Sequence, residues 1–318
     1  MAFRVINPGF AEITLPHSSY HASTIENELF NPINGISFTM TETSDAAILI
    51  PLPAGFSDHL YCKFSFYTST KSISAFRMGV FQATNTNNLN WIGGLRGDTS
   101  NNKPVLKFYS SASSKGDYQF LNLNSHNSIW FHMLNEAIGD ANGNGLYEII
   151  INDNDKYSYN DQYCAAFNTN YKYFIISLPS NVYISNLIIS DEYINPKEQV
   201  ILLPTNSIDT DMTNNLNGSF TSDQENQYIL QSIDTSDLIS QFGAKSKVTG
   251  ISNIAVPAYK SASGLSNLIS IEQNNNQIIE HYSCAVSDDS LSGVSDCWNI
   301  DCSISDLNGK KFGWKAAM

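Results

Sequence analysis

One short segment constrains the fold more than any other feature of the sequence. Leu60-Tyr61-Cys62-Lys63-Phe64-Ser65-Phe66 alternates between apolar and mixed residues. In an extended strand successive side chains point to opposite faces, so positions 60, 62, 64 and 66 would form one apolar face. The opposite face is mixed, as in a strand that is packed on one side only. The segment therefore predicts a β-strand with one face in a core.

Similar runs, rich in β-branched and aromatic residues and bounded by turn formers, recur along the chain. Turn chemistry agrees, because Asn142-Gly143 supplies the positive φ angles of a tight hairpin, and the run 152–155 is predicted to turn the chain into the next strand. Charged residues make up only 15% of the chain, which is too few for long amphipathic helices with a solvent-exposed charged face. This spacing predicts an all-β fold, a sandwich or jelly roll. The predicted strands are Ile36–Met40, Ala47–Leu52, Leu60–Tyr67, Phe76–Phe81, Val105–Tyr109, Ile129–Leu134, Leu146–Asn152, Lys156–Tyr159, Tyr171–Leu178, Val182–Ser190, Lys247–Ile254, Leu268–Glu272, Gln277–Tyr282 and Cys297–Ile304.

A polar connector near residues 191–205 indicates a domain boundary. It contains Pro196, is followed by a new apolar run at 199–203, and gives way to a very polar stretch. A length of 318 residues suits two domains. We expect a jelly-roll domain over residues 1–195 and a smaller β-rich domain over residues 196–318. The smaller domain has one predicted helix, over Leu238–Phe242, which residues 234–237 would cap and Gly243 would end.

The charge and the apolar runs exclude several classes of partner. The formal net charge is −13, with no Lys/Arg run, so no nucleic acid is expected. Apolar stretches fall far short of about 20 residues, so no membrane insertion is expected. The start, Met1–Asn7, has no basic segment leading into an apolar one, so no secretory signal is expected. The five cysteines are sparse and predicted to be mostly reduced; a pair of Cys284 with Cys297 or Cys302 stays open.

The loop Asp140-x-Asn142-x-Asn144-Gly145 places oxygen ligands at alternate positions, with Glu148 beyond. A calcium loop has this alternation and a Gly at the sixth position. The acid expected at the twelfth position is replaced by Ile151. Two interpretations stay open: an ordinary Asn-Gly hairpin loop, or a calcium site of Asp140, Asn142, Asn144 and Glu148. No other cofactor is expected.

Three smaller motifs have simple interpretations. Arg96-Gly97-Asp98 matches the tripeptide of some integrin ligands, but a turn explains it more simply. Asn217-Gly218-Ser219 is a glycosylation sequon that we expect to be unused without a signal peptide. His126 and His132 flank the Trp130 strand, either as ligands or as structural or solvated side chains.

Hydrolysis of a glycan would need two carboxylates facing one groove, about 5–9.5 Å apart. Glu136 and Asp140 flank a loop, and the adjacent Asp191 and Glu192 would point to opposite faces of a strand. The sequence also has no Gly-x-Ser-x-Gly elbow and no P-loop. We therefore expect a protein that is not an enzyme.

A polar-aromatic patch offers the remaining route to binding. It comprises Tyr157, Tyr159 and Tyr163, with Asn160 and Asp161. Such a patch stacks on sugars or packs at interfaces. The alternative is that these tyrosines belong to the sandwich core.

Two stretches resemble parts of uncharacterised phage and prophage proteins of gut bacteria. The run 186–192 and its continuation, Ile194-x-Pro196-Lys197-Glu198-x-Val200-x-x-Leu203-Pro204, resemble the end of a concanavalin A-like (laminin-G-like) jelly roll. The segment from Thr210 through 247–250 to Lys315 resembles a module that follows that domain. The resemblance covers residues 183–318, and its motifs are specific for the protein group and not for an activity.

The resemblance implies a virion structural or attachment protein, such as a tail or head fibre, made in the cytoplasm of a bacterial host. The partners it implies are other virion proteins, host cell-surface glycan and further copies of the chain, with a trimer favoured. The alternative is a carbohydrate-binding module or a glycan-active enzyme of a bacterium.

Overall fold

Two compact units divide the chain, Met1–Ile201 and Leu202–Met318. The expected domain boundary after residue 195 stays a prediction. In this computed structural model the described residues are 4–7, 22–26, 36–40, 47–52, 59–85, 88–110, 113–135, 145–161, 171–179, 182–198, 200, 205–215, 220–258, 265, 267–285 and 292–318. Strands dominate both units, so the all-β prediction is confirmed.

The first unit is a sandwich of two antiparallel sheets. Its strands are β1 (Arg4–Asn7), β2 (Ala22–Glu26), β3 (Ile36–Met40), β4 (Ala47–Pro51), β5 (His59–Thr68), β6 (Arg77–Asn85), β7 (Asn88–Ser100), β8 (Lys103–Ser110), β9 (Ser113–Phe120), β10 (His126–Asn135), β11 (Gly145–Ile151), β12 (Tyr157–Asp161), β13 (Tyr171–Ser177) and β14 (Val182–Ser190). The eight-stranded sheet has the order β12-β11-β10-β5-β14-β3-β2, and β1 pairs with β14. The six-stranded sheet has the order β4-β13-β6-β7-β8-β9.

Alternation along each strand places the core between these sheets. In β5 the side chains of Leu60, Cys62, Phe64 and Phe66 are at most 1% exposed, as the pattern predicts. They belong to one cluster with buried residues of the six-stranded sheet, among them Phe108 and others of β6 and β13. The intervening residues of β5 face away from this core, and the same alternation holds in β11.

Two Asn-containing irregularities shape the eight-stranded sheet. Asn152 and Asp153 have φ angles of 54° and 57° and turn the chain from β11 into β12, as predicted. In β14 the pairing with β5 shifts between Ser185 and Ile188, and Asn186 between them has φ 54°. The Asn186 side chain donates to Ser65 Oγ at 3.1 Å, which fixes this bulge.

The Arg96-Gly97-Asp98 tripeptide lies within a strand, so its prediction as a turn was wrong. All three residues of β7 pair with residues of β8, because the apolar run before them continues as one long strand to Ser100. Gly97 allows a close backbone approach here: a Cβ atom at this position would lie 2.1 Å from the Ile73 carbonyl oxygen.

The second unit contains strands β15 (Thr205–Thr210), β16 (Thr213–Asn214), β17 (Phe220–Thr221), β18 (Tyr228–Ile233), β19 (Lys247–Ala258), β20 (Asn267–Asn274), β21 (Gln277–Ala285), β22 (Ser292–Ser303) and β23 (Lys311–Ala317). Helix α1 spans Ser236–Phe242 and begins two residues before the predicted start at Leu238, and a 3₁₀ turn spans Ile304–Leu307. A five-stranded sheet has the order β15-β18-β23-β20-β21, and β19 pairs with β22. Ile251, Leu307 and Phe312 form the centre of its core.

Two further findings bear on the sequence expectations. Within the described part of the chain, no helix is long and apolar enough to cross a membrane. Cys62 and Cys302 are free thiols, which excludes the Cys284–Cys302 pair. The side chains of Cys164, Cys284 and Cys297 lie outside the described residues.

Candidate functional site

A row of polar side chains crosses the outer face of the eight-stranded sheet. Tyr61 of β5 lies directly opposite His132 of β10, His132 opposite Glu148 of β11, and Glu148 opposite Ser158 of β12. Both sequence neighbours of Tyr61, His132 and Glu148 are buried in or beside the core, so these side chains point outward. We call Tyr61, His132, Glu148 and Ser158 the transverse row.

Aromatic stacking orders one end of the transverse row. The rings of Tyr61 and His132 are parallel within 6°, with centroids 4.2 Å apart. The His59 ring, two residues before Tyr61, is also parallel to His132, at 5.2 Å. These three rings form a stack at the edge of the row, and each is held by its place on a strand.

Hydrogen bonds extend from the stack to a lysine. His132 Nδ1 lies 2.9 Å from Glu148 Oε2, and its Nε2 lies 3.0 Å from His59 Nδ1. Lys156 Nζ lies 2.5 Å from Glu148 Oε1. An ionised carboxylate only accepts, so His132 Nδ1 must donate to it. A neutral His132 then accepts at Nε2, and His59 Nδ1 must be the donor in the second bond.

Burial and these bonds set the charge states. Burial raises the pKa of Tyr61, and the nearby Glu148 carboxylate raises it further, so the phenol keeps its proton. Burial also lowers the pKa of His132, more than the Glu148 hydrogen bond raises it, so the imidazole is neutral at pH 7. Burial acts to raise the pKa of Glu148, but hydrogen bonds from Lys156 and His132 outweigh it and the pKa is lowered. The site thus combines a protonated phenol with a neutral imidazole.

The chain after β14 covers the sheet beside the transverse row. Trp130, two residues before His132, donates from Nε1 to the Ile194 carbonyl at 2.7 Å and packs with Ile188, Ile194 and Val200. We call residues 191–198 the covering segment. Its Tyr193 is 62% exposed and meets Tyr61 edge to face, with centroids 5.6 Å apart. An exposed aromatic ring therefore borders the row.

Lys63, on the sheet beneath the covering segment, binds that segment through a hydrogen bond. Its side chain is buried, and Nζ donates to the Glu198 carbonyl oxygen. Burial lowers its pKa to about 8. A buried cation beneath this segment makes the outer face less negative than the net charge of the chain suggests.

The predicted calcium ligands are placed only in part. Asp140, Asn142 and Asn144 lie outside the described residues, so the site stays a prediction. Glu148 is described, and its carboxylate is bound by His132 and Lys156. Within the described residues, no group of three or more His, Cys, Asp or Glu side chains could hold a metal ion.

The other residues predicted from the sequence do not come together at the transverse row. Tyr157 and Tyr159 pack against the inter-sheet core, which favours the core interpretation over an outward sugar-stacking patch. Tyr163 lies outside the described residues, as do Glu136 and the Asn217 sequon. His126 is the first residue of β10, six residues before His132 and beside Tyr67, so the two histidines do not converge.

Sequence reasoning missed His59, Tyr61, Lys156 and the role of Glu148. The signal available was the mixed face of β5, where His59, Tyr61 and Lys63 alternate with the apolar residues. Polar residues are expected on a strand face that meets water, so the pattern alone did not distinguish a site. The burial of Lys63 and His132 on this face of the sheet does distinguish it.

Comparison with known proteins shows what the fold is similar to. No family model and no curated protein sequence matches the chain. Among solved structures, an endo-β-1,4-glucuronan lyase of Trichoderma reesei is 11% identical, with a TM-score of 0.42, over 61% of this chain and 98% of that one. A protein of unknown function from Shewanella oneidensis is 13% identical, with a TM-score of 0.38, over 61% and 90%. An alginate lyase of a Chlorella virus is 11% identical, with a TM-score of 0.32, over 59% and 91%.

These neighbours correct one expectation. Polysaccharide lyases are among the solved structures to which the chain is similar, which contradicts the expectation of a protein that is not an enzyme. That expectation relied on missing paired carboxylates, which test for hydrolysis and not for other glycan chemistry. No comparison supports a virion protein family, and the likeness concerns the fold.

Proposed function

We propose that the chain is a glycan-active protein whose transverse row transfers protons on a bound polysaccharide. The stack of Tyr61 on His132, with His132 bonded to Glu148, carries this proposal. A phenol that keeps its proton supplies an acid, and the hydrogen-bonded imidazole pair of His59 and His132 supplies a base. The exposed ring of Tyr193 beside them gives a sugar a face on which to stack.

The chemistry that best matches these groups is β-elimination in an acidic polysaccharide. The base removes the proton from the carbon next to the sugar carboxylate, and the C–H electron pair forms a carbon–carbon double bond. The glycosidic C–O bond then breaks, and the departing oxygen takes a proton from the acid. Lys156, whose side chain is 50% exposed and whose Nζ lies 2.5 Å from Glu148 Oε1, is a cation beside the row that could face the sugar carboxylate.

Hydrolysis fits the row less well. It requires one carboxyl group with a raised pKa and a second carboxylate across the scissile bond. Glu148 is the carboxylate of the row, and its pKa is lowered because Lys156 and His132 hold it. Its role in the proposal is to orient His132 and to fix its tautomer.

A panel of polysaccharides tests the proposal. Alginate, glucuronan and a neutral glucan are incubated with the protein, and both ultraviolet absorbance of a new double bond and release of reducing ends are followed. Elimination yields both signals on the acidic polymers, whereas hydrolysis yields reducing ends alone. His132→Gln should lower turnover about 100-fold or more. The matched control is His126→Gln, on the same face of β10 and away from the row, which should keep turnover.

Two outcomes would count against this function. Turnover that survives His132→Gln would show that the row is not the reaction site. Glycan binding without turnover on every polymer would instead favour the binding module named as an alternative above. The virion role rests on the sequence resemblance and stays a prediction; neighbouring portal, capsid and tail genes would support it.

A further inference from the structure

A second feature lies on the outer face of the six-stranded sheet. Arg77 of β6 lies directly opposite Arg96 of β7, and Arg96 lies directly opposite Lys107 of β8. Neighbouring strands are about 4.8 Å apart, so three cations line up across three strands. The adjacent residues Met78, Leu95 and Phe108 belong to the core, so the cations face away from the other sheet. We call Arg77, Arg96 and Lys107 the cationic row.

Like charges at directly opposed positions destabilise a sheet. Among the described residues, no carboxylate forms an ion pair with any member of the cationic row. Arg96 Nε is buried and has no hydrogen-bond partner in that part of the chain. The acid nearest in sequence is Asp98, on the same face of β7, and its Oδ1 accepts from the Thr99 backbone N–H at 2.7 Å. Within the described residues, none of the three cations is therefore offset by an ion pair, in a chain whose net charge is −13.

Aromatic rings accompany these cations. Lys107 Nζ lies 4.3 Å from the centroid of the Tyr118 ring, and Arg96 lies 5.4 Å from that of Tyr109. Tyr118 is 39% exposed, and Phe120, near Lys103, is 49% exposed. Cations hold anionic groups, and exposed rings beside them stack on the apolar faces of sugars. The combination favours a ligand that carries both anionic groups and sugar rings.

We propose that the cationic row, with Tyr118 and Phe120, is a binding site for an anionic polysaccharide bearing carboxylates or sulfates. It lies on a different sheet from the transverse row, so it does not depend on the proposed function. Three cations in line complement a polymer whose anionic groups repeat along its length. Duplex DNA carries about one negative charge per 1.7 Å of its axis, so a net charge of −13 repels it more strongly than a polysaccharide with one anionic group per sugar ring.

Binding measurements on charge variants test this site. The dissociation constants for an alginate oligosaccharide, dextran sulfate, neutral dextran and single-stranded DNA are measured by calorimetry at low salt. R77Q/K107Q should bind the preferred anionic glycan about tenfold more weakly than the parent, because two charge-assisted contacts are lost. The matched control, K71Q/K245Q, removes two exposed lysines outside the row and should bind like the parent. Comparing alginate with dextran sulfate identifies whether carboxylates or sulfates are preferred.

Further variants distinguish a loss of binding at the cationic row from a loss of stability and from an effect of the transverse row. R77K/K107R keeps both charges and should restore binding, and melting curves verify that each variant folds. In a His132→Gln background, the loss of binding in R77Q/K107Q should persist. Unchanged glycan affinity in folded R77Q/K107Q overturns the proposal. It is equally overturned if neutral dextran binds as tightly as the anionic glycans, or if DNA alone binds.

Discussion

The phenol of Tyr61 lies flat on the imidazole of His132, with the ring centroids 4.2 Å apart. The two residues are 71 positions apart in sequence yet directly opposed on neighbouring strands. Each ring removes water from one face of the other, and burial is the largest cause of the pKa shift in both. The shifts run in opposite directions, so both groups are uncharged at neutral pH. The protonated phenol of Tyr61, a proton donor, is thereby in direct contact with the neutral imidazole of His132, a proton acceptor.

Replacing Tyr61 with Phe should lower the turnover of the preferred polysaccharide about 100-fold or more, because the acid is removed and the ring stack remains. The measurement is the steady-state rate from the double-bond assay. Tyr67→Phe, on the same face of β5 and beside His126, is the control and should retain the parent rate. A Tyr61→Phe variant as active as the parent would exclude the phenol from the reaction.

Acid should destabilise the first unit, and His132 should account for part of that effect. Its pKa is lowered in the folded state, so below the unfolded value of about 6.5 the unfolded chain binds more protons, and stability falls as the pH is lowered. Glu148, whose pKa is also lowered, continues the decline below about 4.3. Urea denaturation of the parent and His132→Gln on either side of about pH 6.5 measures this. Equal slopes for the two proteins would contradict it.

Lys63 should impose a dependence on pH at the alkaline side. Its folded pKa is about 8, whereas the unfolded value is about 10.4. Between these values the unfolded chain binds more protons, so stability rises with pH, and the unfavourable effect of the buried charge is complete below about 8. In Lys63→Met that rise should be absent, while exposed Lys71→Met should keep it. Denaturation midpoints across this window decide the matter.

Gly313→Ala should destabilise the second unit by about 1–3 kcal/mol. A Cβ atom at Gly313 would lie 1.8 Å from the Ile229 carbonyl oxygen of the neighbouring strand. The backbone of a central strand cannot move away to relieve this clash, because both of its edges are hydrogen bonded. Gly309→Asn is the control: its Cβ would meet nothing within 4 Å, and asparagine tolerates the φ of 82°. Thermal unfolding of both variants should show a lower midpoint for Gly313→Ala alone.

Local pattern was enough to predict much of the fold. The alternation in 60–66 identified β5 and its buried face, and the polar residues before Leu238 identified the start of α1. Other elements lacked such a signal. Ser113–Phe120 has few apolar residues and becomes β9 because β8 supplies a partner, a contact that no local pattern encodes.

The transverse row could not be predicted from the sequence, although each member lies on a strand that was. Which residues of β5, β10 and β11 share a face follows from alternation. Which of them stand opposite one another depends on sheet order and register, and β5 and β10 are neighbours across four intervening strands of the chain. A shift of one residue would replace His132 by a core side chain beside Tyr61.

The strict alternation of β5, β10 and β11 also bears on how such a protein diverges. Inward residues are constrained by packing between the two sheets, whereas the members of the transverse row lie outside that core. A lineage could therefore exchange the chemistry of the transverse row, one strand at a time, on an unaltered core. Descendants of one sandwich would then keep their shape while their substrates drift apart.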